Sequence, residues 1–260
     1  MNKPVAAALA ATLIGGCAVP PSAPEAARRE LAPTGTLRAG MNWGNTLFTQ
    51  KTAAGAPTGV SVDIMRELAA RLGVPLELVM HDSPGQVADA AGRHTWDVAI
   101  LAIEPARARS ITFSPPLSEI EAGYVVRQDG PLKGVAQVDA PGVRIAAPAK
   151  AGYELYLTRT LQAATLVRTD GFDASISLFN AGGADAVAAL KPNLIEAMTR
   201  MPGGRLLDGR FMTVHHGLGT PVGRDAGAGY LKAFVADLNA TGFIARSIER
   251  HRVQGLSAVR

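Results

Sequence analysis

The sequence predicts an α/β fold of parallel strands covered by helices. Two observations carry this reading. Short apolar runs rich in β-branched residues, such as Val98 to Ile103, have the composition of strands buried on both faces. Those runs alternate with amphipathic helical stretches such as Val62 to Leu72. The 260 residues fit either one large or two modest α/β domains, and the 47% hydrophobic composition is ample for a core.

Leu37 to Met41 reads as the first strand, Val62 to Leu72 as a helix closed by Gly73, and Pro75 to Met80 as a second strand, which makes one βαβ unit. A short helix around Val87 to Gly92 and the strand from Val98 to Ile103 extend the sheet by right-handed crossovers. Glu104-Pro105 ends that strand, and Pro105 to Ser110 reads as a short helix leaving its carboxyl end. Phe113 to Leu117 leads away to a strand from Ala122 to Arg127. A second βα pattern follows: Val143 to Ala147, a helix from Tyr153 to Gln162, Leu166-Val167, a helix near Asp173 to Asn180, Ala184 to Ala189, and a helix near Lys191 to Thr199. Met212 to Pro221 is a returning strand, followed by helices at Ala226 to Asn239 and Phe243 to Arg250 split by Gly242.

The stretch from Trp96 to Pro116 points to a ligand cleft. Open α/β sheets bind ligands at the carboxyl ends of their strands. Arg107 sits there with a guanidinium fork suited to a carboxylate. The same spacing also fits Arg107 and Arg109 as two solvated surface charges.

Asp97, Arg107, Phe113, Ser114 and the Pro115-Pro116 pair fall in the order and spacing of a signature found in the family 3 extracytoplasmic solute-binding proteins, the amino-acid receptors of ABC importers, and the segment resembles that family. Gly35 to Gly40 is similar to the family's opening strand, and Gly59 to Ile64 with Leu68 to Val74 to its first helix. The resemblance implies a periplasmic-binding-protein-like type II fold, two α/β lobes joined by a two-crossing hinge. Residues 34–118 with 214–260 would form the first lobe and residues 119–213 the second. The crossings would lie near Pro116 to Glu121 and Arg210 to His216. Closure of the cleft would bury a small ligand against fixed donors.

By the same resemblance, Arg107 pairs the ligand's carboxylate, and the loop Asn42-Trp43-Gly44-Asn45 covers it. Trp43 would supply an apolar wall and Asn42 a polar contact, with Asn45 at the family's aromatic position; Trp43 is equally well a core aromatic. Ala102, Ile103 and Glu104 stand where the family commonly has small hydroxyl residues and Thr. Leu190 and Lys191 stand where it has an aspartate for the α-ammonium. Glu104 would replace that partner or cap a short helix. Lys191 would favour a further anionic group on the ligand, or is a solvated lysine at a helix start. The second-lobe carboxylate site is expected at Pro148 to Tyr153, where Lys150, Gly152 and Tyr153 meet a strand-to-helix junction with free N–H groups.

The amino terminus combines Lys3, an apolar run from Val5 to Ile14 and Gly15-Gly16 before Cys17, the only cysteine. This reads as a secretory signal peptide over residues 1–16. Its apolar run is about half of the roughly 20 residues a membrane span needs. Ile14 to Cys17 resembles a lipobox, so Cys17 is the expected lipid anchor, and residues 17–33, rich in Pro and Ala, the expected tether. Folding is expected to begin near Thr34.

Net charge is +4, one unit of it Lys3, and no basic run carries interleaved aromatics, which argues against nucleic-acid binding. No Gly-x-Ser-x-Gly, Walker loop, Rossmann glycine fingerprint or His-Glu-x-x-His motif is present, and nothing calls for a cofactor or metal. His215 and His216 are adjacent on a strand and face opposite sides. The reading is therefore a monomeric, lipid-anchored, periplasmic receptor that takes a carboxylate-bearing solute to an ABC permease. Two alternatives remain: a periplasmic dehydratase-like enzyme using Glu104 or Glu154 as the acid, and a sensory or accessory lipoprotein.

Overall fold

The computed structural model describes residues 23–259; the expected signal peptide, the expected anchor Cys17 and the start of the expected tether lie outside that range. The helices are α1 (Glu25–Leu31), α2 (Val60–Leu72), α3 (Pro84–Ala90), α4 (Gly152–Thr160), α5 (Phe172–Asn180), α6 (Lys191–Ala197), α7 (Asp225–Ala240) and α8 (Phe243–Arg250). Strands β1 (Leu37–Asn42), β4 (Leu76–His81) and β5 (Val98–Ala102) precede the crossover, with the small hairpin β2 (Gln50–Lys51) and β3 (Pro57–Thr58) between the first two. Then come β6 (Ile111–Phe113), β7 (Ser118–Arg127), β8 (Arg144–Pro148), β9 (Thr165–Thr169), β10 (Ala186–Leu190), β11 (Gly204–Leu206), β12 (Met212–Pro221) and β13 (Ser257–Ala258).

One curled mixed sheet runs β4-β1-β5-β12-β7-β10-β8-β9. Its two ends are parallel βα layers, β4-β1-β5 and β10-β8-β9. The long strands β7 and β12 join them: β12 pairs β7 antiparallel from Met212 to His216, then pairs β5 from His216 to Gly219. Every residue of β5 and of β10 is buried, as their apolar runs predict for strands covered on both faces.

The same clamp organises both halves. Arg38, at the start of β1, gives its backbone N–H, Nε and Nη2 to Asp97 at 3.1, 2.9 and 2.8 Å. Arg144, at the start of β8, does the same to Asp185 at 2.9, 3.0 and 2.9 Å. Asp97 has no exposed surface and also takes Arg224 Nη1 at 2.9 Å, which ties α7 to the edge of β5. Trp96 beside it is fully buried, donates to Val87 O at 2.8 Å, and presses on Gly40, where a Cβ would lie 2.9 Å from the indole.

Two expectations are corrected. Residues 25–31 of the expected tether are helix α1, with Ala27 and Leu31 buried and Glu30 accepting from Gly227 N–H of α7 at 2.7 Å. A Cβ on Gly227 would come within 2.8 Å of Leu31, so the glycine makes the room that buries α1. Pro105 to Ser110 is a pair of tight turns rather than a helix. The carbonyls of Glu104 and Arg107 each take two N–H groups, and Ile111 then enters β6, where pairing with β12 stops further winding.

Candidate functional site

A cavity of about 320 Å³ opens where both βα layers end, at the carboxyl ends of their strands. The first half contributes Asn42 from the end of β1, Asn45, Asp82 and Ser83 from loops, Ala102 from the end of β5, and Arg107. The second contributes Gly152 and Tyr153 from the start of α4, Gly171 and Phe172 at the start of α5, and Leu190 and Asn193 at the start of α6. Val214 and His216 of β12 form the floor between them. The volume falls in the range of small-molecule sites, roughly 300 to 1,000 Å³.

Arg107 is the central cation. Only 4% of its surface is exposed, and it donates from Nη1 to Ala102 O at 3.1 Å and from Nη2 to Lys150 O at 2.9 Å. Its Nε–H has no protein partner. Burial draws its pKa down to about 10, against the opposing pull of Glu104 and Asp89, so it stays charged at neutral pH. His216 is also 4% exposed and tilts against Phe48 with ring centroids 4.8 Å apart. Burial, with smaller contributions from Arg107 and His215, lowers its pKa to about 3, which leaves a neutral imidazole. Asn45 Nδ2 lies 3.4 Å from its Nε2, and its Nδ1 has no protein partner. His215 is exposed on the opposite face, as strand alternation requires.

Of the ten sequence-derived ligand-contact candidates, Asn42, Asn45, Ala102, Arg107, Gly152 and Tyr153 line this cavity. Tyr153 is buried there, and its phenol is pushed up by desolvation. The other four are placed elsewhere. Trp43 is half-buried on an adjoining surface depression with Lys51 Nζ 4.6 Å from its ring centroid. Glu104 is 2% exposed and turned to Arg159 of α4, a link between the two halves. Lys150 holds a positive φ of 60°, its backbone N–H going to Glu154 at 2.8 Å and its ammonium to Asp89 at 2.5 Å. Lys191 pairs with Glu121 at 3.0 Å on a different face, because the step from β10 into α6 turns Leu190 toward the cavity and Lys191 away.

His216 and Asn193 complete the wall and were not among those candidates. No local pattern marks Asn193, and the sequence offers His216 either as a hinge histidine that contacts ligand or, more plainly, as an ordinary hydrogen-bonded one. Among the described residues, no group of three His, Cys, Asp or Glu side chains is placed to hold a metal ion, and no helix is long and apolar enough to cross a membrane.

Two α/β layers are joined by two crossing strands around this cavity. The family model of bacterial extracellular solute-binding proteins, family 3, matches residues 37–252, and the chain belongs to that family. No curated protein matches the sequence. Among solved structures, it is similar to a mutant ArgBP from T. maritima, with 21% identity, a TM-score of 0.71, and coverage of 86% of this chain and 98% of that one. It is similar too to an ancestral amino-acid-binding protein described as a precursor of cyclohexadienyl dehydratase, with 21% identity, a TM-score of 0.70, and coverage of 86% and 98%. An arginine-bound substrate-binding protein of an amino-acid ABC transporter from Streptococcus pneumoniae aligns at 19% identity with a TM-score of 0.71, covering 90% and 99%. These likenesses establish the periplasmic-binding-protein type II fold.

Proposed function

We propose that the protein is an extracytoplasmic receptor that captures a small carboxylate-bearing solute, an amino acid or an organic acid, and delivers it to an ABC permease. Residues 34–118 with 214–260 and residues 119–213 act as the two lobes, and β7 and β12 as the hinge. The supporting observation is Arg107, a buried cation with an unpartnered Nε–H, set in a cavity walled from both halves. The first-turn N–H groups of α4, beside Gly152, add a second source of positive potential for the carboxylate. The receptor works as a monomer, held to the bacterial membrane by a lipid on Cys17.

The dehydratase-like alternative needs an acid in the cleft. Glu104 is engaged by Arg159, and Glu154 by Lys150 N–H, Thr158 and Arg168, and neither lines the cavity. These pairings occupy the two acids that the alternative would use; Asp82 and Asp170, which do line the cavity, are exposed. Thermal-shift screening of amino and organic acids tests the reading: a ligand at a hundredfold excess over its dissociation constant adds about 2.7 kcal/mol. A panel without any shift would refute it. For the anchor, Cys17→Ser is expected to release the protein from membranes, and persistent membrane association would contradict lipidation.

A further inference from the structure

Two ion pairs join the halves outside the cavity, one at each end of α4. Just before the helix, Lys150 Nζ meets Asp89 of α3 at 2.5 Å. Lys150 Cβ sits where Gly85 leaves room, since a Cβ on Gly85 would come within 2.7 Å of it. Near the end of the helix, Arg159 Nη1 meets the Glu104 carboxylate. Arg159 is set for this contact on its own helix, donating to Leu155 O at 3.1 Å with its guanidinium carbon 5.0 Å from the Tyr156 ring centroid. Asp89, Glu104, Lys150 and Arg159 are all absent from the cavity lining. The nine residues of α4 span about 13 Å, so a pair at each end fixes the helix against the other half in both position and tilt.

Charge suits a seam that must open. An apolar seam would stay shut, or leave an exposed apolar patch when parted. In an ion pair each charge exchanges its partner for water on parting, and an exposed pair contributes little either way. The side chains of Asp89, Lys150 and Arg159 are all partly exposed, and only the Glu104 carboxylate is buried. Its contact with Arg159 is therefore the stronger of the two, because attraction grows as water is excluded. We infer that these two pairs form an electrostatic clasp that holds the cleft shut from outside the cavity, an inference that rests on the two-lobe receptor reading above. Apparent affinity scales with the fraction of molecules in the binding-competent arrangement, so the clasp sets affinity without touching the ligand. Its four members are positioning residues.

Small-angle scattering of the purified protein in potassium chloride, with no other solute added, tests the clasp. Raising the salt from about 0.01 M to about 1 M shortens the screening length from roughly 30 Å to roughly 3 Å. The wild-type radius of gyration is expected to grow with salt. Glu104→Gln and Asp89→Asn are expected to show the larger radius already at low salt, Glu104→Gln the more strongly, with little further growth. Reversing the exposed pair, Asp89→Lys together with Lys150→Asp, is expected to restore the wild-type radius, since aspartate tolerates the positive φ at that position. That rescue separates a clasp from general loosening. Circular dichroism checks that each variant is folded, and Arg159→Gln takes the place of Glu104→Gln should the latter fail to fold. A low-salt radius equal in the wild type and the single variants overturns the clasp, and the receptor reading stands if acids still shift the melting temperature. If no acid does, the receptor reading falls and the clasp falls with it.

Discussion

Arg107 Nη2 reaches across the cleft to the backbone carbonyl of Lys150 at 2.9 Å, so the cation expected to meet the ligand also joins the two halves of the molecule. Lys150 is held for this contact by a left-handed backbone, an N–H bond to Glu154 and an ion pair to Asp89. In the proposed receptor, ligand capture and closure of the cleft would be coupled through this one guanidinium. A ligand that binds the joined arrangement better than the parted one shifts the balance by that difference in affinity.

Arg107→Ala removes both carbonyl contacts. It is expected to lower stability by about 2 kcal/mol, the scale of a charged hydrogen bond, and to abolish carboxylate binding. Urea unfolding and titration check the two effects separately. Binding that survives unchanged would remove Arg107 from the ligand site.

Gly152 permits the close approach of α4 to β5. A Cβ there would lie 2.5 Å from Ala102 Cβ, closer than any real contact. Gly152→Ala is expected to wedge the halves apart, weakening ligand binding at least about tenfold and enlarging the radius of gyration in small-angle scattering. Gly134→Ala, with open space around the added methyl, is the control.

His216 makes stability depend on pH in a known direction. Its native pKa lies near 3 and its usual value is 6.5, so between those values the unfolded chain binds a proton that the native state does not. Stability therefore falls as pH drops below 6.5, with a slope from this residue approaching about 1.4 kcal/mol per pH unit. His216→Gln removes that part of the slope. Equal slopes for the two proteins between pH 6 and 4 would contradict the neutral buried imidazole.

Asp97→Asn leaves Arg38 and Arg224 facing a neutral amide at a fully buried site. A loss of about 3 to 5 kcal/mol is expected in denaturant unfolding, the scale for breaking a buried ion pair. A change under about 1 kcal/mol would show that the clamp is dispensable.

The strands were legible because β5 and β10 are buried on both faces and carry nearly uninterrupted apolar runs. Helix α8 has the boundaries its pattern predicts, from the αL turn at Gly242 to Arg250. Helix α1 was hidden because seven residues rich in Ala and Arg show no stripe; the space left by Gly227 on α7 makes Leu31 a core residue. In the site, Arg107 was readable from its place after a strand. Its partner was not, since Lys150 O lies 43 residues away in another layer. Leu190 and Lys191 are neighbours in sequence, and only the geometry of the turn into α6 decides which of them faces the cavity. His216 and Asn193 reach the cavity wall from a crossing strand and from the start of α6, a meeting made by the fold that no spacing encodes.

Isothermal titration calorimetry of the purified protein against small carboxylic acids tests the central claim most directly. The account predicts one-to-one binding of at least one such acid, lost in Arg107→Ala and absent for the ligand's uncharged methyl ester. Binding that is indifferent to the ester, or to the loss of Arg107, would contradict it.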